Sequence, residues 1–487
     1  MYLAFSIPGS WITIRTQEYK ISKAANMEDL VQSLPQRHKL YIKTYGCQMN
    51  EYDSDQIFNM MNKNGFDATD SYTDADLVIL NTCHIRDKAT EKVYSELGRI
   101  KRAKIRMKEE QNRDMKIVVV GCVAQAEGDE VFRRSPFVDI VLGPESYHKL
   151  PEMIKNANHS KINIDFSPDE KFDELEKYCI TNGKVSKFIT IQEGCDKFCT
   201  FCVVPYTRGP EFSRTVEQIC DEIKRSADGG TREIILLGQN VNAFHGKDAR
   251  GRSWNLAQLI LKISEIDGIE RIRYTTSHPN EMTDELIAVH GYEKKLMPLL
   301  NLPVQSGSNK ILQLMNRKYT REKYIDIINR LRKVKPGIVF SSDFIVGFPE
   351  ETEDDFQETL DLIKEVIFES QCFSFKYSPR DGTGAALKSQ VSEKIKSERL
   401  LRLQELLEQQ QHNFNSSMLG KVVQVLLDNN NAKRNNQISG RTDSGQIAIV
   451  ELSSHDLSKS KLNLNSIRSA IVTQVGNNSL ICKLLEE

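Results

Sequence analysis

The chain has 487 residues, of which 39% are apolar and 27% charged, with a formal net charge of -1. That length allows about two to four domains with substantial cores, and the near-zero charge excludes a globally basic nucleic-acid binder, so any RNA must be met by local patches. Ten cysteines without a secretory signal point to metal or catalytic ligands in a reducing compartment, and no apolar run approaches the ~18 residues of a membrane span, so a cytoplasmic protein is expected.

Residues 1–37 show weak periodicity. Met1 to Trp11 lacks a basic n-region and a small-residue cleavage site, so this segment is expected to be a poorly ordered extension with Met27 as a candidate natural start. From His38 short apolar runs alternate with helix-like segments, which predicts βα units and a doubly wound, largely parallel sheet over 38–155. The runs Leu40 to Tyr45, Asp76 to Leu80 and Lys116 to Val120 each lead into a cysteine, namely Cys47, Cys83 and Cys122. Ligands of open α/β sheets gather beyond the carboxyl ends of the strands, so these three can converge although they lie 36 and 39 positions apart. Each alone reads equally as a small buried hydrophobe. Arg99, Lys101, Arg102, Lys104, Arg106 and Lys108 form a basic run without an acid, read either as a solvated helix face or as a phosphate contact. The polar stretch from Asn156 is expected to be a linker over 156–180, and Cys179 within it is expected to be incidental.

A second cysteine pattern follows the run Phe188 to Ile191. Cys195, Cys199 and Cys202 fall within eight residues, close enough to face one inorganic centre. Three thiolates leave one iron of an iron-sulfur cluster open for chemistry, whereas a zinc knuckle needs four closed ligands and only Cys220 lies within reach downstream. Six apolar runs (from Phe188, Glu233, Ile272, Met297, Val339 and Cys372) alternate with helices over 181–411 and predict an incomplete (β/α)6 barrel, whose functional groups belong at the carboxyl ends of its strands. Gln239, Asn240, Ser277, His278, Gln305, Ser306 and Asp343 stand at that level, where turn formation explains each alone as well as cofactor contact does. A charged helix, Ser392 to Gln411, carries Leu400, Leu403 and Leu407 on one face. Residues 412–487 change to an all-β pattern, a small β-barrel of weakly positive charge.

The motif Cys-x3-Cys-x2-Cys with Phe201 before its last cysteine resembles the signature of radical S-adenosylmethionine (SAM) enzymes. Glu193-Gly194-Cys195 and Pro205-Tyr206-Thr207-Arg208-Gly209 resemble their methylthiotransferase branch, as do Gly46-Cys47-Gln48-Met49-Asn50, Asn81-Thr82-Cys83 and Gly121-Cys122. The resemblance implies that Cys195, Cys199 and Cys202 hold a [4Fe-4S] cluster whose open iron binds SAM. It further implies that Cys47, Cys83 and Cys122 hold a second [4Fe-4S] cluster, that Gln239, Ser277, Gln305 and Asp343 line the SAM pocket, and that the terminal barrel is an RNA-binding TRAM domain. Arg208 and Arg214 become candidates for a substrate phosphate or carboxylate. Pro210 departs from the family pattern, which usually has arginine there.

Gln48 and Met49 look most like the branch that methylthiolates carbon 2 of isopentenyladenosine beside the tRNA anticodon. The family mechanism implies two SAM molecules, one methylating a sulfur associated with the auxiliary cluster and one generating a 5'-deoxyadenosyl radical, since an unactivated aromatic C–H requires cofactor chemistry. The implied partners are a tRNA anticodon stem-loop, gripped by the terminal barrel and the basic helix, and an electron donor such as flavodoxin or ferredoxin; a monomer is expected. Two other readings stand beside this one: methylthiolation of an aspartate in a small-subunit ribosomal protein, and a non-catalytic metal-cluster protein that binds RNA.

Overall fold

The alternating apolar runs fold as βα units in the computed structural model, which describes residues 37–84, 87–156, 161–178, 183–428, 437–452, 466–476 and 478–485. The extension expected at 1–37, apart from Arg37, and the expectation for Cys179 lie outside these residues. The first unit is a six-stranded sheet of β1 (His38–Thr44), β2 (Phe66–Ala68), β3 (Leu77–Thr82), β4 (Lys116–Gly121), β5 (Ile140–Leu142) and β6 (Ile162–Asn163). Its order is β2-β1-β3-β4-β5-β6 with every pairing parallel. All six residues of β3 are buried because helices cover both faces, as parallel sheets require. Leu40, Ile57, Val118 and Tyr147 form one core layer, and Val78, Leu97, Ile100 and Val119 the other.

The stretch expected as a linker, 156–180, carries the edge strand β6 and a helix, Pro168–Glu176, in which Lys171 and Phe172 are buried. Its composition misleads because Lys171 is neutralised inside the protein by Glu193, at 2.7 Å, and so packs as a core residue.

The central unit has six parallel strand positions, as its apolar runs predict. They are β7 (Ser186–Thr190), β8 (Glu233–Leu237), β9 (Arg271–Thr275), β10 (Leu299–Asn301), a fifth strand interrupted at Ser342 into β11 (Val339–Ser341) and β12 (Asp343–Val346), and β13 (Phe373–Lys376). Single bridges, Ile272 to Leu296 and Gln305 to Phe344, link its three sheet segments into an open barrel. Helices such as Val216–Asp228 lie between the strands, this one started by a capping box of Thr215 and Gln218. The helix Glu393–Ser417 buries Leu403 and Leu407 against the barrel.

The last unit is a closed five-stranded barrel of β14 (Val422–Asp428), β15 (Gln437–Thr442), β16 (Ile447–Glu451), β17 (Ile467–Val475) and β18 (Ser479–Leu484). Its docking is dictated by alternation along β9. Ile272 and Tyr274 belong to the helix-side core, so Arg271 and Arg273 project from the other face of the strand. Arg271 donates to the carbonyls of Arg441 and Gln424, both at 2.9 Å, and Arg273 to those of Asp443 and Thr442, both at 2.8 Å. Gly445 follows that turn with a φ of +87° so close to Leu299 that a Cβ would lie 2.4 Å from Leu299 Cδ2. An Arg271→Met substitution should remove two charge-assisted hydrogen bonds and cost docking roughly 2–4 kcal/mol; faster amide exchange across Gln437–Thr442, with the central strands still protected, is the expected readout.

Candidate functional site

The three amino-terminal cysteines lie beyond the ends of three adjacent strands. Cys47 follows β1 at the start of the helix Gln48–Lys63, Cys83 follows β3 directly, and Cys122 opens the helix Cys122–Glu127 after β4. The strand order reverses between β1 and β3, so Cys47 and Cys83 flank the switch point where such sheets bind ligands. Gly46 has a φ of +106°, and a Cβ there would lie 2.2 Å from Cys83 Cβ, so only glycine lets the two loops meet. Burial pushes the Cys122 thiol up, opposed by the Arg208 charge and hydrogen bond.

The Cys195–Cys202 loop follows the short strand Gln192–Glu193. Gly194 has a φ of +71°, and a Cβ there would sit 1.9 Å from the carbonyl oxygen of Pro210, so the exposed Pro210 closes the loop through its backbone. The backbone N–H and hydroxyl of Thr200 donate to Met315 and Leu314 carbonyls at 3.2 and 2.8 Å, and Ala385 N–H donates to Thr200 at 3.0 Å. Phe201 packs edge-on against Phe348. Burial raises the Cys195 thiol to about 11 and the Cys202 thiol to about 12, so loading a metal centre here must release protons. The buried Arg317 donates to Cys199 Sγ at 3.4 Å, and Val204 N–H to Cys202 Sγ at 3.5 Å. Arg317 escapes sequence reading because a lone arginine after a helix carries no pattern.

Among the described residues, no three His, Cys, Asp or Glu side chains close on one point as a mononuclear metal ion requires. A four-iron cluster takes its thiolates at different irons, so each trio can border a larger volume. The fit for SAM is carried by unpartnered polar atoms. Thr190 Oγ1, Gln239 Oε1, both amide atoms of Asn240 and Ser277 Oγ are buried without a protein hydrogen-bond partner, and all lie at or beyond the carboxyl ends of β7, β8 and β9. Such a cluster is costly unless a polar ligand satisfies it. The amide nitrogen of Gln239 also meets the Met49 sulfur. Gln305 adopts a φ of +72° and donates its N–H to the Asp343 carbonyl at 2.9 Å. Burial raises the Asp343 carboxyl to about 6, against the pull of Arg317.

A cavity of about 1000 Å³ joins all three units. Its wall includes Cys47 and Cys83 from the first, Thr275, Thr276 and Asp343 from the second, and Arg441, Ser444 and Gln446 from the third. Asp343 is on that wall, and Gln305, hydrogen-bonded to it, as well as Gln239 and Ser277 are not.

Arg208 and Arg214 do not present themselves to a substrate. Arg208 is buried and pairs with Asp53 at 2.7 Å and Glu193 at 3.1 Å, while Arg214 is buried and pairs with Glu222 at 2.8 Å. Lys171 completes the first group, 2.7 Å from Glu193 and 3.8 Å from both Asp53 and Glu145. Burial disfavours the Glu193 carboxylate, but the Lys171 and Arg208 charges outweigh it and hold Glu193 at about 2. Burial and the neighbouring Glu193 charge push Glu145 well above the usual carboxylate range. The charge of both arginines, expected from sequence to meet a substrate, is paired inside the protein. The basic helix is likewise largely neutralised, with Arg99 paired to Glu96, Lys104 to Asp139, Arg106 to Glu110 and Lys108 to Asp114.

Residues 39–143 match the uncharacterized protein family UPF0004, and residues 189–363 match the radical SAM superfamily. A tRNA-2-methylthio-N(6)-dimethylallyladenosine synthase of Wolbachia pipientis subsp. Culex pipiens (strain wPip) is 57% identical over 417 residues, 85% of this chain and 93% of that protein. The protein of the same name from Rickettsia typhi (strain ATCC VR-144 / Wilmington) is 53% identical over 451 residues, 92% of this chain and 99% of that one. Among solved structures, the radical S-adenosylmethionine methyltransferase TsrM from Kitasatospora setae, with cobalamin and a [4Fe-4S] cluster bound, shares the fold at a TM-score of 0.51 and 13% identity, over 70% of this chain and 72% of that one. Identity above one half along nearly the full length of those synthases, together with the matched amino-terminal and radical SAM units, establishes that this chain belongs to the tRNA-2-methylthio-N(6)-dimethylallyladenosine synthase family.

Proposed function

We propose that this chain attaches a methylthio group to carbon 2 of isopentenyladenosine beside the tRNA anticodon, using SAM and two [4Fe-4S] clusters. The carrying observation is the single cavity bordered by Cys47 and Cys83, by Asp343 of the central barrel and by the Arg441 turn of the terminal barrel. Its volume is at the upper end of ordinary ligand pockets, enough for a nucleotide turned out of its stack. The name shared by the relatives favours the tRNA over a ribosomal protein, and the radical SAM match favours an enzyme over a non-catalytic binder.

Cys195, Cys199 and Cys202 would hold the SAM-binding cluster, and Cys47, Cys83 and Cys122 the auxiliary one. Bound SAM and the two clusters supply the radical and sulfur chemistry that no side chain offers. The protein's own part is positioning. Thr190, Gln239, Asn240 and Ser277 offer their unpartnered polar atoms to SAM, and ionised Asp343 favours a cationic ligand. Lys92 and Arg441, exposed on the cavity wall, are placed to meet phosphates of the RNA. We assign units at 38–155, 181–411 and 412–487, the last acting as the TRAM-like RNA-binding module, and the segment 156–180 to the first sheet. An external electron donor such as flavodoxin or ferredoxin, a monomeric state and a cytoplasmic location complete the reading; no helix among the described residues is long and apolar enough to cross a membrane.

The direct test is anaerobic reconstitution with iron and sulfide, followed by incubation with SAM, reductant and isopentenyladenosine-containing tRNA and mass spectrometry of the nucleosides. About eight irons per chain and a new methylthio nucleoside are expected; a Cys47→Ala variant should keep about four irons, still cleave SAM and form no product. SAM affinity should depend on Asp343. Because its carboxyl sits at about 6, it is mostly protonated at pH 5.5 and mostly ionised at pH 7.5, so affinity should rise about fourfold across that interval. The same raised value has the opposite sign for the fold: the native chain holds this proton more tightly than the unfolded one, so stability falls as pH rises from about 4 to 6. Calorimetric titration should show an Asp343→Asn variant with a flat pH profile. For the RNA, Lys92→Ala and Arg441→Ala should each weaken tRNA binding and reduce the slope of log affinity against log salt by about one, measured by filter binding.

A further inference from the structure

Arg208 is held by the central unit yet acts on the first. It lies six residues beyond Cys202, at the end of the short helix Val204–Thr207. Its Nη1 donates to Glu193 Oε1 at 3.1 Å, and Glu193 immediately precedes Gly194-Cys195. Its Nη2 crosses to the amino-terminal sheet domain, donating to Asp53 Oδ2 at 2.7 Å and Asn50 Oδ1 at 3.0 Å. That same Asn50 oxygen accepts from Cys47 Sγ at 3.7 Å, and the Asn50 amide donates to the carbonyl of Thr82, the residue before Cys83. The guanidinium charge also acts on the buried Cys122 thiol, favouring its thiolate. It is 4% exposed, so solvent does not screen its charge.

We propose that Arg208 is the positioning residue of the auxiliary centre, a cation supplied by the radical SAM unit that stabilises the more negative, reduced state of the cluster at Cys47, Cys83 and Cys122. Three features support this assignment. A guanidinium carries five N–H donors in a fixed fork, and three directions are accounted for by Glu193, Asn50 and Asp53, leaving the side near Cys122 for cluster sulfur. The carboxylates of Asp53 and Glu193 keep the arginine in place, while the Lys171 ammonium beside them offsets their negative charge. Hydrogen bonds and nearby positive charge are established means of raising an iron-sulfur potential. Because the cation belongs to the other unit, the auxiliary centre acquires its final potential only when the two units are docked.

This inference rests on the assignment of Cys47, Cys83 and Cys122 as cluster ligands, and its test keeps the two apart. The parent is the full chain with Cys195, Cys199 and Cys202 all changed to alanine, leaving one reconstituted cluster of about four irons. Redox titration followed by electron paramagnetic resonance should place Arg208→Gln at a more negative midpoint than the parent with altered g-values, Arg208→Lys between the two, and Asp53→Asn at a more positive midpoint. An iron-loaded parent whose midpoint and spectrum match those of Arg208→Gln and Asp53→Asn overturns the proposal, as does a loss of thermal stability without any shift in midpoint. Should Arg208→Gln fail to fold, the opposite shifts expected of Arg208→Lys and Asp53→Asn decide the matter. A parent that binds no iron overturns the ligand assignment itself, which is a different result from an indifferent midpoint.

Discussion

A buried ionic group holds the two cysteine sites in one frame. Lys171 and Arg208 are paired with Asp53 and Glu193, and Glu145, pushed well above the usual carboxylate range by burial and the Glu193 charge, lies beside them. Removing one partner from such a group leaves an uncompensated charge in low dielectric, which costs about 3–5 kcal/mol. That penalty makes the relative placement of the units close to all-or-none. The members come from the helix after Cys47, from the segment at 168–176 and from both sides of the Cys195 loop, so a shift at either cysteine site must disturb all of them.

A second anchor acts at the other end of the central barrel. Arg271 and Arg273 clamp backbone carbonyls of the terminal barrel, and Gly445 lets that turn approach Leu299 closely. Backbone carbonyls as acceptors make this docking insensitive to the side chains of the turn, so Ser444 and Gln446 can serve the cavity they border. The cavity is therefore a consequence of two dockings, one ionic and one through main-chain acceptors. Its chemistry is divided accordingly, with thiols from one wall, Asp343 from another and basic and amide groups from the third.

Glycine has a narrow role here. At Gly46 and Gly194 the positive φ is combined with a contact that any Cβ would violate, and both residues immediately precede a cysteine. Loop conformation thus aims the thiols of Cys47 and Cys195, while burial pushes up the Cys122 and Cys195 thiols, so a metal centre loaded there must displace their protons. Arg317 donates a hydrogen bond to Cys199 Sγ at one site, and the Arg208 charge acts on the Cys122 thiol at the other.

Much of the protein was legible in the residues alone. Strand periodicity announced the parallel sheet, the six barrel strands and the terminal β-barrel, and cysteines at strand ends announced two sites, because backbone alternation and strand polarity are local properties. The polar stretch at 156–180 was misread because composition cannot see that Lys171 finds Glu193, and the two-residue strand β6 has no apolar run to reveal it. Arg208 and Arg214 read as candidates for a substrate phosphate or carboxylate because sequence shows a guanidinium without its distant carboxylates, Asp53 lying 155 positions away from Arg208. Sequence by itself determined which elements form and where the cysteines stand along them. Only the tertiary structure decided which charges are spent, which polar atoms are left for a ligand and that three units share one cavity, because those follow from long-range pairing in a buried, low-dielectric interior.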